Sequence, residues 1–313
     1  MGIFQSGLLQ HLSPIRKIIA LILLSLFSML VIMLIGWLIA TMIFGNILTL
    51  MTQLNDHQNF EVIRLLKYFQ IINQIGLFII PPVLFAFLDS NNIWRYLGLT
   101  RKPQLRVVTL SIIIIIAILP LIHVSALFNE QLKLPAWLQG LENWMRQSEI
   151  NAESLTKAFL DVKTTGGFLV NIFMIALIPA IGEELLFRGV LQKLLHCWFG
   201  NIHWAVLLTA IIFSAMHLQF YGFLPRMILG VLFGYLFVIT QSLWVPIIVH
   251  FFNNGMAVIA AFLFQKKFIE NNYDEIGQVS DPLLIIASII MVVTLFVVIA
   301  RLSDNQGKTN TQI

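Results

Sequence analysis

The stretch Ile172–Val190, IFMIALIPAIGEELLFRGV, decides how this chain is read. Its first half is apolar without a single charge, and its second half carries Glu183, Glu184 and Arg188. Ionisable groups are costly inside hydrocarbon, so three of them in one apolar segment need a physical reason. Nothing after Gly182 breaks a helix until Gly200, and one unbroken helix is expected from about Phe168 to His196. On that helix Glu184 and Arg188 stand at i,i+4 and can pair on one face. Glu183 is turned about 100° from its neighbour and is free to point elsewhere. One carboxylate is then neutralised while the other stays available as a base. Spacing alone leaves a second reading open, in which a helix end emerges among headgroups with three solvated charges.

The rest of the chain favours a membrane setting. Of 313 residues, 58% are hydrophobic and 11% charged, and the mean hydropathy is +0.88. A soluble domain carries about 25% charged residues. A spanning helix needs about 20 mostly apolar residues. Candidate spans fall near Ile18–Phe44, Tyr68–Leu88, Val107–Leu127, Gly167–Ile181, Trp204–Phe220, Leu224–Thr240, Trp244–Phe264 and Leu283–Ala300. The runs lack the alternation of barrel strands. The expectation is an all-α, polytopic membrane helical bundle of about eight transmembrane helices. The first run exceeds a signal-peptide core and reads as a retained anchor. Cys197 is the single cysteine, which excludes an intramolecular disulfide and a cysteine-based zinc site.

Net charge is +4, and the excess Lys and Arg read as topology signals rather than a nucleic-acid surface. No basic run is interleaved with aromatics, so no nucleic-acid partner is expected. Arg16 and Lys17 precede the first span, and Arg95, Arg101, Lys102 and Arg106 crowd the connection after the second. Glu130, Glu142, Glu149, Glu153 and Asp161 gather between the third and fourth spans, while Lys266 and Lys267 go against the pattern. The expected protein is integral and multi-pass in a bacterial plasma membrane, with both termini cytoplasmic. LPAWLQGLENWMRQ has apolar residues at helical spacing and is expected to lie along the outer interface. NNIWRYLGLTRKP is expected as a short element on the other side, and the tail SDNQGKTNTQI as disordered. Residues 1–166 form an N-terminal set of helices, 167–264 the chemistry-bearing core, and 265–313 the last span and tail.

Two further segments place polar groups within spans. FSAMH, Phe213 to His217, carries a histidine that reads either as a hydrogen-bonded packing residue or as part of a site. VHFFNN sets His250 and Asn254 at i,i+4, with Asn253 at i+3. These could donate to a developing oxyanion or act as interhelical polar glue. Asn73, Gln74 and Asn171 read as interhelical hydrogen bonders, Gly230 and Gly234 as sites of close helix approach, and Pro81 with Pro82 as a kink.

Glu-Glu-x3-Arg, then Phe-x3-His, then His-x3-Asn, in that order on three apolar segments, resembles the CAAX prenyl endopeptidase and bacteriocin-processing (CPBP/Abi) family of intramembrane proteases. The resemblance covers about Phe168 to Phe264, and YLGLTRKP is similar to the element that often precedes the family core. It implies an intramembrane endopeptidase acting on a membrane-associated protein or peptide. It further implies that Glu183 activates water, His217 helps hold that water, and His250 and Asn254 bind the oxyanion. Glu184 and Arg188 would shape and neutralise the site. No cofactor is favoured, because no HExxH spacing exists; zinc is possible, and Glu183, His217 and His250 would then be its ligands. The alternative from another class is a non-enzymatic membrane immunity or binding protein on the same bundle. Nothing in the sequence sets the oligomeric state.

Overall fold

The computed structural model describes residues 7–269 and 281–310, with side chains in the last helix described through Asp304. Every described element is helical. Helix α1 is Pro14–Phe44, α2 is Phe60–Asp89, α3 is Leu105–Ala117 and α4 is Leu119–Gln131. Helix α5 is Gln139–Leu160, α6 is Thr165–Phe199, α7 is Ile202–Ala215, α8 is Phe223–Thr240, α9 is Trp244–Gln265 and α10 is Pro282–Asn310. Helices α3 and α4 meet at a 41° bend, where Pro120 has no N–H for the carbonyl of Ile116.

Six of these helices, α1, α2, α6, α8, α9 and α10, are long and apolar enough to cross a bilayer, and the bent pair α3–α4 makes a seventh. The remaining apolar segment, α7, has only 14 residues. The expected eight is therefore reached only by counting a helix shorter than a full crossing. Helix α10 is described to Asn310, beyond the expected end near Ala300, and residues 311–313 of the tail lie outside the described residues.

Helix α6 is the centre of the bundle. It runs through Glu183 as one element from Thr165 to Phe199, and every residue from Gly182 to Leu191 is buried. The charged stretch is thus interior and is not a helix end. Two π-helical turns, Ile172–Leu177 and Leu185–Leu191, interrupt the regular winding. The first precedes Pro179 just as a π turn in α2, Ile75–Ile79, precedes Pro81 and Pro82. A proline cannot bond the carbonyl four residues back, and a widened turn accommodates the loss.

Close helix approach depends on two kinds of glycine contact. A Cβ on Gly230 would stand 3.0 Å from the Cβ of Ala210, and one on Gly234 would stand 2.9 Å from a methyl of Val206. These glycines let α8 lie against α7 as the GVLFG spacing predicts. A Cβ on Gly182 would meet Phe78 Cβ at 2.9 Å, so α6 and α2 touch one residue before Glu183.

Buried polar groups tie the elements together. Lys67 Nζ of α2 donates to the carbonyl of Phe159 at 2.9 Å and to Asn171 Oδ1 at 2.8 Å, and Asn171 Nδ2 also donates to Phe159 O at 2.7 Å. This joins α2, the end of α5 and the start of α6. At the opposite end Lys17 pairs with Asp89 at 2.7 Å, and the Tyr96 hydroxyl donates to Asp89 at 3.1 Å. Burial, and then the Asp89 charge, push the Tyr96 hydroxyl well above the ordinary phenol range. The following residues dock on the α8–α9 turn. Leu243 N–H donates to Gly98 O at 2.9 Å, Ser242 Oγ to Arg101 O at 2.5 Å, and Trp244 Nε1 to Leu99 O at 2.9 Å.

Candidate active site

Glu184 is built into the protein, not into a cavity. Its side chain and that of Arg188 are both fully buried. Arg188 Nη1 donates to Glu184 Oε1 at 2.8 Å, Nη2 donates to the carbonyl of Gly230 at 2.8 Å, and the guanidinium lies 5.0 Å above the Phe213 ring. The i,i+4 pairing expected from spacing is present. The same Glu184 Oε1 stands 2.9 Å from His250 Nδ1, a partner that spacing did not reveal. A carboxylate oxygen only accepts, so Nδ1 carries the proton and Nε2 is turned away from Glu184.

His250 Nε2 faces Glu183, with Oε2 3.9 Å away. Glu183 is buried, and its Oε1 accepts from Gln74 Nε2 at a long 3.4 Å. His217 is held in the same tautomer by a different device. Its Nδ1 donates to Phe213 O at 2.9 Å, and among the described residues Nε2 has no hydrogen-bond partner. Phe213 lies between the two imidazoles, its ring 5.1 Å from that of His217 and 6.1 Å from that of His250. Phe233 stacks on His250 from the other side at 5.0 Å. Both histidines thus present Nε2 while Nδ1 is tied down.

Asn254 has a partner that follows from covalent structure. Pro179 has no N–H to offer the carbonyl of Ile175, and Asn254 Nδ2 donates to that carbonyl at 3.1 Å. Asn253 Nδ2 donates in turn to Asn254 Oδ1 at 3.1 Å. A carboxamide nitrogen has two hydrogens, so one remains after the bond to Ile175.

Glu183, His217, His250 and Asn254 line one cavity of about 510 Å³, while Glu184 and Arg188 stand behind its wall. The cavity floor comes from α6, α8 and α9, and the end of α5 covers it with Leu155, Thr156 and Phe159. His217 does not lie inside a span as FSAMH suggested. Helix α7 stops at Ala215, and Leu218 adopts a left-handed φ of +53°. No glycine or proline marks that stop in the sequence. It is held from outside, by Ser214 Oγ on Phe223 O at 2.7 Å and by Asn129 of α4, which bonds Phe220 O and Leu224 N at 2.7 Å each.

Residues 165–256 match the family model described as type II CAAX prenyl endopeptidase Rce1-like. Over this stretch, less than half of the chain, the protein is similar to an Rce1-like domain. The stretch contains all seven residues of the three motifs. No curated protein and no solved structure gave a match. The family is one of endopeptidases, and the Rce1-like stretch here is embedded in an integral, multi-pass helical membrane protein.

Several cavity residues were not singled out by motif. Gln70 and Gln74 enter from α2, outside the Rce1-like stretch, and Arg226 from α8 inside it. The sequence marks Gln74 only as interhelical glue, and it does bridge helices, yet its partner is Glu183. The signal was present as Lys67, Gln70 and Gln74, a polar stripe at i, i+3, i+7 on an apolar helix. Among the described residues no group of three or more His, Cys, Asp or Glu side chains is placed to hold a metal ion. Glu183, His217 and His250 are not drawn into such a group.

Proposed function

We propose that this protein is an intramembrane endopeptidase in which Glu183 activates a water molecule against a peptide bond of a membrane-associated protein or peptide. One observation carries the reading: Glu184 is committed to Arg188 and His250, while the adjacent Glu183 faces the cavity with only a long bond from Gln74. A carboxylate so placed can take a proton from water and later give it to the leaving amine. His217 Nε2, free to accept, holds the attacking water with Glu183. With Nδ1 donating to Glu184, His250 donates from Nε2 as the imidazolium. His250 and the remaining amide hydrogen of Asn254 then receive the oxyanion. The proposed chemistry uses no metal, and the Lys and Arg of the flanking connections support a cytoplasmic side for both termini.

The test compares the membrane peptidomes of cells carrying the wild-type chain and Glu183→Gln. The variant is expected to reach the membrane in equal amount and to lose cleavage by a factor on the order of 10² to 10⁴. Purified wild-type protein is expected to keep its activity in a chelator. Cleavage products that persist unchanged in Glu183→Gln would overturn the proposal.

A further inference from the structure

Among the described residues, Arg226 is the one lysine or arginine that lines the cavity. It projects from the first turn of α8 on the same stripe as Leu229 and Phe233, which line the cavity with it. Its Nη1 donates to Gln219 O at 3.1 Å. Among the described residues no carboxylate lies at ion-pairing distance from it. Glu149 is the acid whose charge reaches it, and that carboxylate is already engaged by the Tyr221 N–H at 3.2 Å. The charges of Arg226, Glu183 and His250 all act on His217, so the guanidinium belongs to the same electrostatic neighbourhood as the candidate site.

A guanidinium carries five donors in a planar fork that matches a carboxylate in two parallel bonds. A single carbonyl leaves most of that capacity unused. Glu183 in the same cavity repels any incoming anion, and such an anion enters only where a cation meets it. We propose that Arg226 determines specificity by binding a carboxylate of the substrate while the scissile bond lies against Glu183. This rests on the peptidase reading. The carboxylate of a peptide comes either from its C-terminus or from an Asp or Glu side chain. A guanidinium that merely clamps Gln219 would show no preference between acid and amide.

The experiment uses the full chain in nanodiscs, with Glu183→Gln in place so that bound peptide is not consumed. Three mixed-sequence peptide pools are offered: neutral side chains with a free C-terminus, the same with a C-terminal amide, and amidated peptides containing Asp or Glu. Retention of one carboxylate pool over the neutral amide pool by about tenfold is expected, the scale of one charge-assisted contact. Which carboxylate pool is retained identifies the source. Arg226→Gln should abolish the preference, and Arg226→Lys should keep part of it. Equal retention of all three pools, no retention of any, or a preference that survives Arg226→Gln would each overturn the assignment. Cleavage that persists in Glu183→Gln defeats the peptidase reading instead, so the two failures are distinguishable.

Discussion

Two adjacent glutamates differ because of what their neighbours can donate. Glu184 receives a guanidinium and an imidazole, whereas Glu183 receives one distant amide. Removing one partner of a buried ion pair leaves an uncompensated charge, at a cost of about 3–5 kcal/mol. Arg188→Met is therefore expected to lower the unfolding temperature sharply, read by thermal melting in detergent. Replacing both partners, Glu184→Leu with Arg188→Met, should recover most of that stability and none of the activity, since His250 loses its anchor. A double variant as unstable as Arg188→Met alone would contradict this account. The pair itself was legible in the sequence because i,i+4 spacing survives the π turn that contains Arg188. The third partner was not legible, since His250 is 66 residues from Glu184 and only packing brings them together.

At the level of elements, the contact between α2 and α6 places Gln74 opposite Glu183, and Gly182 is where the helices touch. Gly182→Val introduces carbon into a space already filled by Phe78 and Ile79. Overpacking of that kind costs about 1–3 kcal/mol, and activity should fall further than stability because Glu183 moves with the backbone. Melting and peptide cleavage measured side by side check this. Helix α5 has its own anchor. Glu142 Oε1 accepts from Arg146 at 2.7 Å and Oε2 accepts from the Leu134 N–H at 3.2 Å. The hydrogen bond from Arg146 holds the Glu142 carboxyl below its ordinary 4.5. A depressed carboxyl stabilises the fold above the ordinary value and loses that contribution as pH falls through the lowered one. The protection of amides at the start of α5, relative to the exchange of an unstructured chain at the same pH, should therefore fall below about pH 4.5 and stay constant above it. Pro81 and Pro82 marked an irregular helix in the sequence, and a π turn stands just before them, whereas the π turn before Pro179 was not foreseen. The end of α7 went unannounced, because tertiary hydrogen bonds and no breaker residue stop it.

For the molecule as a whole, hydropathy sufficed to recognise a helical membrane bundle, since 20-residue apolar runs have few other uses. It gave eight spans where six helices, or seven with the bent pair, are long and apolar enough to cross, because composition cannot tell a 14-residue helix from a longer one that continues into a polar turn. The outer belt is apolar: Leu30, near the middle of α1, is 64% exposed in the isolated chain. Leu30→Arg should reduce membrane integration by about 2.5–3.5 kcal/mol, read by protease protection of the flanking connections. Glu183→Gln should leave integration untouched. The brevity of α7 has one more consequence. Its 14 residues rise only about 21 Å, against a hydrocarbon thickness of about 30 Å. The helix therefore falls about 9 Å short of a crossing. The chain beyond Ala215 is a turn and not an apolar helix, so His217 is carried past the end of the hydrophobic element and not within it.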